Sequence, residues 1–198
     1  MTPLWLILDV ETTGLDPDTA GVWQLGAVFR QGGREVESIE MLVRPEERHW
    51  TPEHRALARR ISGLTAAEEL RLPAELTLPE ALCGLVALLL WHEGPIIATS
   101  YNLPFERGFL DREPAALSRL AREAGLDWRW GPCLMAAAVK ALAPGRERLS
   151  LRSACAALDI PWSADHRALA DARLAALLGE RLGAFAEPAD LALPLEEP

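Results

Sequence analysis

The pattern of apolar and polar positions divides the chain into a strand-rich first quarter and a helix-rich remainder. Leu4-Trp5-Leu6-Ile7-Leu8 is a short unbroken apolar run, as expected of a strand buried on both faces in the middle of a sheet. Residues 22–30 and 34–43 have strand-like composition on either side of Gln31-Gly32-Gly33, and these glycines suit a tight turn. The three segments together predict an antiparallel meander. Thr51 before Pro52 predicts a helix start, the threonine capping and the proline taking the first helical position. Thr65 with Glu68, and Thr77 with Glu80, each match a capping box; the second opens a long helix to about residue 92. Gly94-Pro95 breaks it, and 96–99 reads as a fourth strand. Further helices are expected near 103–112, 114–124, 133–142, 150–158 and 168–184. This order predicts one α/β domain over 1–186, a mixed sheet flanked by helices. Residues 187–198 contain three prolines and three glutamates and predict a flexible C-terminal tail.

Composition narrows the class of protein. Of 198 residues, 49% are apolar and 25% charged, the balance of a soluble globular domain with one sizeable core. The longest apolar stretch, 81–91, falls far short of the roughly 20 residues that a membrane span needs, so no membrane association is expected. Leu4 to Leu8 runs at once into Asp9 and Glu11, so it is not expected to be a signal peptide. Cys83, Cys133 and Cys155 form no CxxC pair, which supports neither a zinc site nor a disulfide framework and fits a reducing cytoplasm. The net charge of −9 argues against a long electrostatic footprint on duplex nucleic acid. It leaves room for an enzyme that grips only the reacting end through metal ions.

Three separated blocks carry candidate chemistry. Asp9 and Glu11 stand two apart at the end of the first strand, so their side chains share a face. Two such carboxylates repel each other unless a cation compensates them, and magnesium or manganese suits all-oxygen ligands. A strand that merely ends in polar residues would read the same way. Asn102, Phe105, Glu106, Phe109 and Leu110 recur at helical spacing, with Asn102 as a helix cap and Glu106 on the core-facing stripe. A buried carboxylate there needs a partner or a metal; an edge position paired with Arg107 is the alternative. Ala168, Asp171, Ala172 and Ala175 share one helical face, whose small residues permit close approach to the sheet and bring Asp171 toward Asp9. His166 precedes that helix, where it is either a proton acceptor near neutral pH or an ordinary surface residue. His49, His54 and His92 have no site-like surroundings. Trp128 and Trp130 flank Arg129 as a base-stacking patch or a packed loop, while Trp5 and Trp91 lie in apolar runs that suit the core.

Taken together, Asp9-x-Glu11-Thr12-Thr13-Gly14-Leu15, Asn102-x-x-Phe105-Glu106-x-x-Phe109-Leu110 and His166-x-Ala168-Leu169-x-Asp171-Ala172 resemble, in order, the motifs of the DEDDh 3′–5′ exonucleases. That family includes proofreading epsilon subunits, ribonuclease T and oligoribonuclease. Leu25-Gly26-Ala27 and Ser62-Gly63-Leu64-Thr65 are softer matches. The resemblance runs from about Leu4 to Leu182. It implies an RNase H-like fold and two divalent ions, magnesium or manganese, held by Asp9, Glu11, Glu106 and Asp171. Asp9 would bridge both ions, Glu11 and Asp171 would hold the one beside the attacking water, and Glu106 would help hold the other. His166 would be the general base. Thr12, Thr13, Leu15, Asn102 and Phe105 would contact the terminal nucleotide. Two positions depart from the pattern: Glu106 stands where the family usually has aspartate, and Gln24 where many relatives have glutamate.

The expected function is metal-dependent release of nucleoside monophosphates from a single-stranded 3′ end, with DNA as the expected substrate. The alternatives are an RNA-directed enzyme of the same family, or a weakly active or non-catalytic module of this fold that binds a polymerase or other replication protein. A short partner-docking peptide at 189–193 is a further expectation, set against plain disorder.

Overall fold

The computed structural model describes residues 1–112, 116–162 and 166–185. The expected tail at 187–198, with its docking peptide, lies outside these residues, as do the first two positions of the helix expected at 114–124.

Among the described residues six strands form one sheet in the order β4-β3-β2-β1-β5-β6. Strands β1 (Leu4–Thr12), β2 (Val22–Gln31) and β3 (Arg34–Arg44) make the antiparallel meander. Gly32 and Gly33, both at positive φ, turn the chain between β2 and β3, a conformation that glycine adopts without steric cost. Strand β5 (Ile96–Thr99) pairs parallel with β1, and β6 (Trp128–Trp130) pairs parallel with β5. Strand β4 (Leu76–Thr77) adds two residues at the other edge. Neither edge strand is visible in the hydrophobic pattern, since two or three residues give too short a window for a period.

Eight α-helices surround the sheet among the described residues: α1 (Pro52–Ile61), α2 (Ala66–Arg71), α3 (Leu78–Leu89), α4 (Leu103–Leu110), α5 (Leu117–Glu123), α6 (Leu134–Leu142), α7 (Leu151–Ala157) and α8 (Ala168–Arg181). Thr51 and Ser150 cap α1 and α7, and both expected capping boxes are present, at Thr65 with Glu68 and Thr77 with Glu80. Helix α3 ends three residues before the expected His92. Trp91 therefore falls beyond it and is 92% exposed, not in the core as its apolar neighbours suggested.

Alternation along β1 sorts the core. Leu4, Leu6, Leu8 and Val10 join the cluster formed with α3, α4 and α5. Trp5 and Ile7 join the opposite cluster, with Ala172, Ala175, Ala176 and Leu178 of α8 and with α6 and α7. Asp9 and Glu11 continue the Trp5–Ile7 parity, so they emerge on the face that α8 covers.

Candidate active site

The site forms where β1 runs out of core. Strand β1 is apolar through Leu8, and the same face then presents Asp9 and Glu11. Asp9 lies opposite Gly26 and Glu11 opposite Gln24 in the register with β2. Gly26 lets α8 cross β2 in direct backbone contact: a Cβ there would lie 2.3 Å from the carbonyl carbon of Ala168 and from the Leu169 nitrogen. This approach sets Asp171, one turn into α8, beside the β1 carboxylates. One ligand oxygen from each of Asp9, Glu11 and Asp171 lies within 4.8 Å of the others.

Glu106 comes from the other side of the sheet. Helix α4 buries Leu103, Glu106, Phe109 and Leu110, the stripe that the spacing predicts, and Glu106 is 4% exposed. Its carboxylate accepts a hydrogen bond from Ser100 Oγ at 3.1 Å. The alternative partner, Arg107, instead approaches Asp111 at 3.6 Å and lies 5.8 Å from the Trp130 ring centre.

The electrostatics are those of a cluster short of positive charge. Burial pushes the Asp9 carboxyl well above the usual aspartate range, helped by the negative charges of Glu106, Glu11 and Asp171. Glu11 is pushed up to about 7, chiefly by burial and also by Asp171, although a Ser62 hydrogen bond and Arg167 pull the other way. Glu106 is pushed up to about 8 by burial, against its hydrogen bonds from Ser100 and the backbone, with Glu11 adding repulsion. Asp171 is raised by burial and eased by His166. Such a group is uncomfortable as four anions and well suited to hard divalent cations. The donor set, all carboxylate oxygen, fits magnesium or manganese.

His166 stands at the rim, its side chain 56% exposed, with Nδ1 4.0 Å from Asp171 Oδ2 and its ring edge-on to Trp162 at 6.2 Å between centres. The loop after β1 shows a division of labour. Leu15 projects at 80% exposure. Thr12 Oγ1 donates to the Gly14 carbonyl at 2.6 Å. Thr13 is buried, its hydroxyl accepting from Gly21 N–H at 2.9 Å while its own N–H donates to the Gly21 carbonyl, so its side chain braces the loop. Asn102 occupies the N-cap position of α4, but its backbone carbonyl, not its side chain, meets the Phe105 N–H at 2.8 Å. Phe105 packs against Phe109, ring centres 5.1 Å apart.

Sequence reasoning gave no role to three supporting residues, although Ser62 and Gly26 stand in its softer motif matches. Ser100 holds Glu106, Ser62 reaches the Thr12 carbonyl at 3.4 Å and the Glu11 carboxyl, and Gly26 admits α8. Only Gly26, a glycine inside a strand, carried a local signal of close backbone approach. Trp128 and Trp130 form edge strand β6 and pack edge to face, 5.4 Å apart; Trp130 Nε1 donates to Asp111 at 3.0 Å. Of the two readings of that segment, the packed one describes both rings.

A family model described as Exonuclease, of the RNase T type, matches residues 6–100, a span that includes Asp9 and Glu11 and stops short of Glu106. The chain is 31% identical over 172 residues to the PolC-type DNA polymerase III of Thermotoga maritima, a match covering 87% of this chain and 11% of that protein. The PolC-type polymerase of Thermotoga petrophila matches to the same extent. The chain therefore spans about a tenth of the length of these curated relatives. Among solved structures, Escherichia coli exonuclease I in complex with a dT13 oligonucleotide superposes with a TM-score of 0.65 at 18% identity, over 91% of this chain and 41% of that one. Exonuclease X in complex with 5′-overhanging duplex DNA gives 0.62 at 22% identity, over 90% of each chain. The shared architecture is the RNase H-like mixed sheet flanked by helices.

Proposed function

We propose that this chain, which is similar to exonucleases of the RNase T type over residues 6–100 and to PolC-type polymerases over 172 residues, is a DEDDh 3′–5′ exonuclease that releases nucleoside monophosphates from single-stranded 3′ ends, with DNA as the substrate. The observation that carries this reading is the meeting of Asp9, Glu11 and Asp171 within 4.8 Å at the end of β1, with buried Glu106 adding its charge to the same centre. Asp9, Glu11, Glu106 and Asp171 would hold two divalent cations, magnesium or manganese. When bound, these supply Lewis-acid activation of water and offset the charge of the reacting phosphate.

The protein's own groups do the rest. With Nδ1 of His166 turned toward Asp171, Nε2 is the atom that takes the proton from the attacking water. Asp171 stabilises the imidazolium so formed, and the exposed ring returns the proton to solvent. The phosphorus–O3′ bond breaks as the water oxygen bonds to phosphorus, and the leaving 3′ oxygen is protonated from solvent. Leu15 packs against the terminal base, with Thr12, Asn102 and Phe105 bordering the sugar; backbone groups of the Thr12–Gly14 turn, braced by Thr13, face the phosphate. The likeness to PolC-type polymerases supports a setting in replication or repair, beside a polymerase or other replication protein, and the three free cysteines fit a reducing cytoplasm.

The test is incubation with 5′-labelled single-stranded DNA and RNA oligonucleotides in magnesium, manganese or chelator, beside Asp9→Ala. The expected result is a metal-dependent ladder shortening from the 3′ end of DNA and absent in the variant. Preferential cleavage of RNA would overturn the substrate assignment. Folded protein that cleaves neither would leave a binding module of this fold.

A further inference from the structure

Helix α8 begins without a local cap. Its N-cap residue is Arg167, in extended conformation, with no side-chain acceptor for the first N–H groups of the helix. Such N–H groups need a partner from elsewhere when they are buried. The partner is Gln24, 144 residues away in sequence: its Oε1 accepts from the Ala168 N–H at 3.1 Å, and Gln24 is fully buried. Gln24 lies opposite Glu11 in the β1–β2 ladder, so one strand position joins the carboxylate end of β1 to the first turn of the helix bearing Asp171. A neutral amide supplies this acceptor without adding a charge to an already crowded anionic centre.

Arg167 is fixed independently. Its guanidinium meets Glu68 at 2.5 Å and Glu40 at 3.7 Å, and lies 5.9 Å from the Trp23 ring centre. Glu68 is itself held by the Thr65 hydroxyl and N–H as the N3 residue of the α2 capping box. The side chains of Arg167 and Glu68 are 27% and 13% exposed, so this pair is better shielded from water than a surface ion pair. The Arg167 carbonyl then accepts from the Asp171 N–H at 2.9 Å. The residue before Arg167 is His166, and the residue after it is the Ala168 that Gln24 holds.

We propose that Gln24 and Glu68 are positioning residues which, by pinning Ala168 and Arg167, set His166 and Asp171 in register with Asp9 and Glu11. This rests on the roles given above to His166 and Asp171. Gln24 is fully buried, and the Glu68 carboxylate is taken up by Arg167 and Thr65. Both act through the chain that presents the base and the fourth carboxylate, and an error of about an ångström in such placement lowers rates by about 10²-fold.

The experiment compares the full-length wild type with Gln24→Met, which removes the acceptor at similar size, Gln24→Glu, which keeps it, and Glu68→Gln. Three quantities are read: kcat and KM on a 5′-labelled single-stranded oligodeoxynucleotide with manganese, amide hydrogen exchange at Ala168 and Asp171 in chelator, and the thermal midpoint. Gln24→Met and Glu68→Gln should each lower kcat by about tenfold or more, with KM changed by no more than about twofold. In Gln24→Met the Ala168 amide should exchange at least about tenfold faster, while Gln24→Glu keeps its protection. Unchanged kcat in both variants, or a lower thermal midpoint with kcat intact, would overturn the proposal. If the wild type cleaves nothing, the nuclease reading fails and exchange alone judges the pinning. Loss of Ala168 protection in Gln24→Met but not in Gln24→Glu supports it, and equal exchange in all chains overturns it.

Discussion

Stripping divalent ions from this protein should make its stability fall as pH rises. Glu106 carries the clearest part of the effect. Its carboxyl ordinarily titrates at 4.5 and in the folded protein is pushed up to about 8 by burial. Below pH 4.5 the folded and unfolded chains both hold the proton, and Glu106 contributes no difference. Between 4.5 and about 8 the unfolded chain gives up its proton first, so the unfolded state gains and stability declines; above about 8 the loss is complete. At about 1.4 kcal/mol per tenfold change in proton affinity, the full loss is on the order of 5 kcal/mol. Glu106 is 4% exposed, so water screens little of it. Glu11, pushed up to about 7, acts with the same sign. These amounts are comparable with the whole stability of a typical domain, about 5 to 15 kcal/mol.

The assay is urea unfolding in chelator at pH 5, 6.5 and 8, for the wild type and Glu106→Gln. With a slope of about 2 kcal/mol per molar urea, the wild-type midpoint should drop by about 1.5 M or more between pH 5 and 8. Glu106→Gln removes one of the four charges and relieves Asp9, so its midpoint should fall less and at pH 8 lie above that of the wild type. Magnesium at about 100 times its dissociation constant should restore about 2.7 kcal/mol to the wild type at pH 8, and less to the variant. Glu80, held below its ordinary value by hydrogen bonds from Thr77, matters only as pH falls below 4.5, outside this window. A wild-type midpoint that is flat or rising from pH 5 to 8 in chelator would refute the account of the site as an uncompensated anionic cluster.

Three further outcomes follow from the geometry. His166→Ala should lower kcat by about 10² to 10⁴ and leave the thermal midpoint unchanged, because the ring is mostly exposed; wild-type kcat in that variant would remove His166 from the mechanism. Gly26→Ala should lower kcat by about 10²-fold, since α8 must retreat from a Cβ otherwise 2.3 Å from its backbone, and unchanged rate and metal affinity would show that Asp171 tolerates the shift. Glu106→Asp should keep or raise activity with manganese, measured by single-turnover cleavage. A large loss would show that the site, including the Ser100 hydrogen bond, is built around the longer side chain.

The parts of this fold that were legible in the sequence are those whose signals are local. A strand buried on both faces is continuously apolar, so β1 announces itself. A capping box is confined to four residues, so α2 and α3 can be read directly. The parity of β1 even gives the face on which Asp9 and Glu11 emerge, because Trp5 and Ile7 precede them in the same phase. Edge strands β4 and β6 were not legible, since their pairing with Val43 and Ile97 is a tertiary event. Trp91 misled because an apolar neighbourhood does not say where a helix stops; α3 ends at Leu89 and carries the ring past the core.

The candidate site divides on the same physical line. A carboxylate that is to hold a hard cation, or an imidazole that is to take a proton at neutral pH, has few chemical substitutes. The three blocks around Asp9, Glu106 and Asp171 therefore declare themselves by residue type and order. The groups that place them face no such restriction. Any buried acceptor would satisfy the Ala168 N–H, and any hydroxyl at the right distance would steady Glu106; the choice of Gln24 and Ser100 becomes meaningful only once β2 and α8, or β5 and α4, are side by side. Gln24 reads in the sequence as a departure from a motif, a glutamate replaced by its amide. In the folded chain it supplies the acceptor that Arg167 lacks, beside four carboxylates that already repel one another, where a fifth carboxylate would have added to the charge that burial makes so costly.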